Sequence, residues 1–248
     1  MDKSIKFIVI LIFAFFCLVG CNQSPMNDDV YIIEDMDEYV NQLYSSIFSY
    51  NKTDTIFNWQ LFHQGKIVTL SDLTMSDMKL LSLYSNSDAV YIDEFSYSYF
   101  NYDDLDSTMK KLFGASVSAD KSDWYGGGKS WIYDESLDSF VGDASYGGEE
   151  RKLFDCRYFG KYELDGDYLY IYDRCYYCEY DSDSGLTFFY NDINKAPESL
   201  FLKWEIKANY DIYYIGDEVT QKYGAEYKHT FAKAKNGSYY WVSSEPVK

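Results

Sequence analysis

The chain carries three prolines, two histidines and five cysteines in 248 residues, and its 22 basic residues are outnumbered by 40 acidic ones. Each scarcity excludes something. Three prolines set against 28 tyrosines and 17 phenylalanines exclude a disordered stalk, which would be poor in aromatics. The shortage of lysine and arginine leaves a formal charge of −18, so nucleic acid and anionic lipid headgroups are repelled. No period of about 20–50 residues recurs, which excludes a solenoid or propeller. The two histidines, His63 and His229, stand near no Gly-x-Ser-x-Gly elbow, and no protease signature surrounds the cysteines. Adjacent acids such as Asp103-Asp104, Asp134-Glu135 and Glu149-Glu150 are expected by chance in so acidic a chain. The expectation is a protein that is not an enzyme and needs no metal or cofactor.

Long hydrophobic runs are also scarce, with one exception at the start. Lys3 and Lys6 form a short basic region at the head of an almost unbroken apolar stretch from Ile5 to Val19. At roughly 15 residues it is short of the ~20 that span a bilayer, and it matches the apolar region of an export signal. It ends in Leu18-Val19-Gly20-Cys21, which resembles the lipobox of a bacterial lipoprotein. That resemblance implies cleavage before Cys21, acylation of its thiol and residence on the outer face of the cell membrane. Loss of residues 1–20 removes Asp2, Lys3 and Lys6 and leaves the remainder one unit more negative. Residues 21–29 then read as the lipidated cysteine and a flexible tether containing Pro25.

Residues 30–248 read as one α+β domain, with a possible subdivision near 115–150. Met36, Tyr39, Val40, Leu43, Tyr44, Ile47 and Phe48 recur at helical spacing behind Asp35, a plausible N-cap. Thr74 with Asp77 predicts the start of a second helix running to about Tyr84, and Gly114 the end of a third over Asp104–Phe113. Ile56–Phe62 and Lys66–Leu70 flank His63-Gln64-Gly65 as a hairpin would. Residues 115–150 read as loops with one or two strands. Beyond Lys152 the period is two, with Leu200, Leu202, Trp204 and Ile206 on one face of a strand. Asn236-Gly237 marks a closing hairpin between Tyr227–Lys233 and Ser238–Ser244. Helices followed by strands predict helices packed on a mostly antiparallel, twisted sheet.

The closing segment Tyr227-Lys228-His229-Thr230-Phe231, then Asn236-Gly237, then Tyr239 to Glu245, is similar to the last hairpin of uncharacterised lipoproteins from low-GC Gram-positive bacteria. Ser71-Asp72-Leu73 and Lys111-Leu112-Phe113-Gly114 fit the same group. The resemblance implies an anchored, single-domain protein and carries over no catalytic residue.

Three cysteines remain beyond the anchor. A type I′ turn at Asp165-Gly166 would set Leu164 opposite Asp167 and therefore Cys156 opposite Cys175, predicting a Cys156–Cys175 disulfide on the apolar face. Cys175-Tyr176-Tyr177-Cys178 has redox-motif spacing but lies in a strand-like run rather than at a helix N-terminus. A zinc site here would have to recruit Cys156 and His229, with no second Cys-x-x-Cys. Gly126-Gly127-Gly128-Lys129-Ser130 lacks the first glycine of a phosphate loop. Asp181-Ser182-Asp183-Ser184-Gly185 departs from a calcium loop and reads as a turn. The same register groups Phe159, Tyr168, Tyr170 and Tyr172 on the face opposite the apolar one, a plausible recognition surface for cell-wall glycan, peptide or an envelope protein. His229 reads as a surface or half-buried strand residue. The alternative is an envelope hydrolase or thiol-redox enzyme.

Overall fold

The computed structural model describes residues 33–48, 61–126, 129–142, 153–181, 183–191, 198, 200–204 and 217–247. Residues 1–29, which the sequence reading assigns to an export signal, Cys21 and a tether, lie outside them. The fold is α+β, with helices beside two mostly antiparallel sheets.

Among the described residues, three helices of more than ten residues precede or interrupt the first strands. Helix α1 (Met36–Phe48) begins where the Asp35 carboxylate accepts the Glu38 N–H at 3.0 Å, and it buries Val40, Leu43, Ile47 and Phe48. Helix α2 (Met75–Ser85) opens with a reciprocal cap. Thr74 Oγ1 accepts from the Asp77 N–H, and Asp77 Oδ2 accepts from the Thr74 N–H. Helix α3 (Tyr102–Phe113) is capped by Asn101 and stopped by Gly114 at φ +97°, a conformation that only glycine adopts without strain. A side chain there would also strike the Tyr240 ring at 2.9 Å.

The smaller sheet is built from β2 (Val90–Ile92), β3 (Ser98–Asn101), β4 (Trp124–Gly126), β5 (Lys129–Asp134) and β6 (Ser139–Gly142), in the order β2-β3-β6-β5-β4. Residues 115–142 therefore contribute three strands, more than their glycine, serine and aspartate content suggests. Trp124 and Trp131 stack at 5.3 Å, and with Phe100 and Phe140 they bury the inner face.

The larger sheet holds β1 (Val68–Thr69), β7 (Leu153–Asp165), β8 (Tyr168–Asp181), β9 (Leu186–Tyr190), β10 (Leu200–Trp204), β11 (Ala225–Lys233) and β12 (Tyr239–Pro246), with a short helix α4 (Asp217–Tyr223) before β11. Strand β8 is its spine. One edge of β8 pairs with β7 from Tyr168 to Glu179, while the other pairs with β11 up to Cys175 and with β9 from Tyr177 onward. Helix α3 packs on both β12 and β3, so the inner faces of the two sheets share one apolar core.

Two expectations fail here. Leu61 and Phe62 are helical rather than extended, and Phe62 is fully buried against Phe48 and Trp241. The β7–β8 turn is Gly166-Asp167, not Asp165-Gly166: Asp165 pairs with Tyr168, and Gly166 takes φ +60°. That displacement is even and preserves the faces. Gly160, however, is an extra residue between the pairs Phe159–Asp173 and Lys161–Tyr172, and a one-residue bulge flips every side chain beyond it. Cys156 consequently lies opposite Tyr176, and Cys175 opposite Arg157. The register that would have joined Cys156 to Cys175 does not form. Cys175 is a buried thiol whose Sγ lies 3.4 Å from the Tyr177 hydroxyl.

Candidate functional site

The outer face of the large sheet carries the tyrosine row. Tyr168, Tyr170 and Tyr172 alternate with the buried Leu169 and Ile171. Tyr168 is 46% exposed, the other two are half-buried, and the Tyr168 and Tyr170 rings stack at 6.4 Å. Lys161, opposite Tyr172, sets its ammonium 4.6 Å from that ring, and Lys228 on β11 lies 5.4 Å from the Tyr170 ring. Both lysines are neutralised by neighbours, Lys161 by Glu163 and Lys228 by Glu245. Hydrogen bonding to those carboxylates holds each lysine above its usual pKa. Phe159, expected on this face, belongs to the other one. The Gly160 bulge turns it inward, where its ring packs 5.4 Å from Tyr44.

The smaller sheet has an exposed row of its own. Tyr91, Tyr99, Val141 and Ile132 are cross-strand neighbours on its outer face, with Tyr91 66% and Ile132 57% exposed. Alternation in β2, β3 and β5 held the signal for this row, but the strands themselves were under-read.

The inner face of β8 holds a polar cluster absent from the sequence-based expectations. Asp173 follows Leu169 and Ile171 on that face and is fully buried, as are His63 and His229. His63 arrives from the loop after the Leu61–Phe62 turn, and His229 from β11 between buried Tyr227 and Phe231. His229 is thus a core residue rather than a surface one. His63 Nε2 lies 3.2 and 3.0 Å from the two Asp173 oxygens, and His229 Nε2 lies 3.0 Å from Oδ1. Tyr44 of α1 donates its hydroxyl to Asp173 Oδ2 at 2.7 Å. Burial pushes the Asp173 carboxyl up, but the two imidazoles outweigh it and hold the group well below the usual carboxylate range. An ionised carboxylate only accepts, so His63 Nε2, which hydrogen-bonds to it, is a donor.

A second layer surrounds the cluster. His229 Nδ1 pairs with Ser244 Oγ at 2.6 Å, and the Trp241 indole N–H donates to the same oxygen at 3.0 Å. The His63 carbonyl accepts the Tyr177 hydroxyl at 2.7 Å, and Tyr227 accepts the Gly65 N–H. Burial holds the Tyr177 hydroxyl well above its usual pKa. Among the described residues, His63 Nδ1 has no hydrogen-bond partner. Phe48 and Tyr227 cover the imidazoles with their rings.

Ser244, His229 and Asp173 have the residue types of an acyl-transfer triad, but Ser244 is fully buried and its oxygen holds the Trp241 N–H. The imidazole is also reversed, with the carboxylate on Nε2 and the serine on Nδ1, the opposite of the catalytic order. A cleft of about 210 Å³ lies between α1, α3 and the β11–β12 loop, lined by residues including Gln42, Ser46, Lys111 and Tyr239. Among the described residues no carboxylate lines it, and it is smaller than the ~300 Å³ at which small-molecule pockets begin.

The remaining sequence candidates resolve into turns. Asp181 accepts from the Asp183 N–H and the Ser184 hydroxyl, closing the β8–β9 hairpin. Gly126 and Lys129 pair across the β4–β5 hairpin. The expected closing hairpin does form between β11 and β12, but around a five-residue loop from Ala234 to Ser238. Comparison with protein-family models, curated proteins and solved structures finds no match to this chain.

Proposed function

We propose that this is a lipid-anchored extracytoplasmic protein that acts by binding rather than by catalysis, and that it binds through the outer face of its large sheet. The observation that carries the reading is the Tyr168–Tyr170–Tyr172 row on the outer face, with Tyr168 exposed and the other two half-buried. Three rings on alternate positions of one long strand offer flat apolar area, and their phenol oxygens offer hydrogen bonds. The flanking lysines are paired with glutamates, so the surface is amphipathic without strong charge. Such a surface suits stacking on sugar rings or on peptide side chains, the ligands that a cell-wall environment supplies. The export signal and Cys21 supply the address.

Two measurements test this reading. Acyl-chain labelling of cells expressing the chain is expected to mark the wild type and leave Cys21→Ala unmarked and released. Thermal melting of the full chain with muramyl-glycan fragments, sugars and short peptides is expected to show a rise of ~5–10 °C with one class at 100 times its Kd. The combined Tyr168→Ala, Tyr170→Ala, Tyr172→Ala variant is expected to lose that rise. Persistence of the shift in the triple variant, or no shift with any member of the panel, would overturn the assignment of this face.

A further inference from the structure

We infer that His63, Asp173 and His229 form a binding site for one divalent transition-metal ion, Zn2+ in the first instance, which clamps the inner face of the large sheet. This site is separate from the tyrosine face and does not depend on it.

The geometry comes first. His63 Nε2, His229 Nε2 and a carboxylate oxygen of Asp173 lie within 4.8 Å of one another, and all three residues are fully buried. Asp173 Oδ1 is 3.2 Å from one imidazole nitrogen and 3.0 Å from the other. Around a zinc ion with N and O ligands at ~2.0–2.1 Å, tetrahedral donors stand about 3.3 Å apart. The Oδ1 edges of that polyhedron are therefore already near coordination length. Two imidazoles and one carboxylate are donors that zinc and its first-row neighbours accept, and they leave a fourth position for water.

The surroundings of His229 match what a metal ligand requires. A coordinating imidazole carries its proton on the other ring nitrogen and donates it to a fixed acceptor. For His229 that acceptor is Ser244 Oγ, 2.6 Å from Nδ1. The oxygen has a second lone pair available, because the Trp241 N–H uses only one. An ion would take the Nε2 lone pairs and leave the ring protons on Nδ1, where His229 meets Ser244 Oγ and His63 meets no acceptor among the described residues. Tyr44 donates to Asp173 Oδ2, which also lies 3.0 Å from His63 Nε2, while Oδ1 lies within reach of both imidazoles. The three ligands arrive from a loop, from β8 and from β11, so an ion would fix elements far apart in sequence. The −18 charge of the chain also raises the local concentration of cations.

The test uses the purified full chain, stripped with chelator and then titrated with Zn2+ or Co2+. One ion per chain, a raised melting temperature with Zn2+, and the intense visible absorption of tetrahedral Co2+ are expected. His63→Gln keeps a side-chain N–H for Asp173 but removes the ligand nitrogen, and it is expected to abolish all three signals while retaining the far-ultraviolet circular dichroism of the fold. Should that variant not fold, the wild-type cobalt spectrum decides alone. A weak octahedral spectrum marks ion binding by surface acids and overturns the proposal. So does stoichiometric binding that survives in His63→Gln, or a stripped chain whose melting Zn2+ does not move.

Discussion

Along β8, Leu169, Ile171, Asp173 and Cys175 are fully buried, whereas Tyr168, Tyr170 and Tyr172, each one residue away, keep part of their rings in solvent. The two faces handle charge in opposite ways. Inside, one carboxylate is enclosed by two imidazoles and a phenol, out of reach of bulk solvent. Outside, Lys161 and Lys228 lie over aromatic rings, and each lysine is answered by a nearby glutamate in solvent. A charge taken from water must be met fully by fixed partners, while a charge left in water is worth little to stability. The inner face is therefore where the fold is vulnerable, and the outer face is where the chain can vary its chemistry at small structural cost.

The largest break in that contrast is Asp173→Ala. It leaves His63, His229 and Tyr44 facing a cavity without their shared acceptor, and a loss of about 3–5 kcal/mol is expected in chemical denaturation. A loss below about 1 kcal/mol would show the cluster to be dispensable. On the other face, Tyr170→Ala removes a half-buried ring and one ammonium–ring contact, and about 1 kcal/mol or less is expected by the same measurement. A cost approaching that of Asp173→Ala would place the tyrosine row in the core instead.

The smallest effect concerns a carboxylate that water partly reaches. Asp106 on α3 is desolvated in part, which raises its pKa, but hydrogen bonds from Lys110, Ser118 and the Ala119 N–H lower it further than that. Its folded pKa is therefore depressed. The stabilisation is fully present above the unfolded value of about 3.9 and is lost as pH falls through the folded value. The stability gap between wild type and Asp106→Asn should hold at neutral pH and close below about pH 4, followed by denaturation at a series of pH values. A gap that does not close would assign the effect to packing rather than charge.

Much of the helical part was legible because its signals are local. Asp35, Thr74 with Asp77, and Gly114 each act on backbone groups within four residues, and the helices begin and end beside them. The closing hairpin was legible for the same reason, although Asn236-Gly237 sits in a longer loop than a two-residue turn. The β7–β8 register was not. One glycine in thirteen residues of β7 absorbs the extra position, and nothing in the pattern distinguishes Gly160 from an ordinary strand glycine. A register without the bulge would set Phe159 on the outer face and Cys156 opposite Cys175, and the strands adopt neither arrangement.

The buried cluster left a trace that could have been read. Leu169, Ile171, Asp173 and Cys175 alternate, as do Tyr227, His229 and Phe231, so an acid and a histidine occupy inward positions where an apolar residue is usual. A buried charge demands a partner, but alternation states only that one exists. That the partners are His63, 110 residues earlier, and His229 was decided when the Leu61–Phe62 turn and β11 packed against β8. Sequence alone determined the α+β class, the helix caps and the acidic, aromatic character, because each follows from neighbours along the chain. Register, faces and the Asp173 cluster were decided by tertiary structure, because a bulge and a burial are settled by what packs across space.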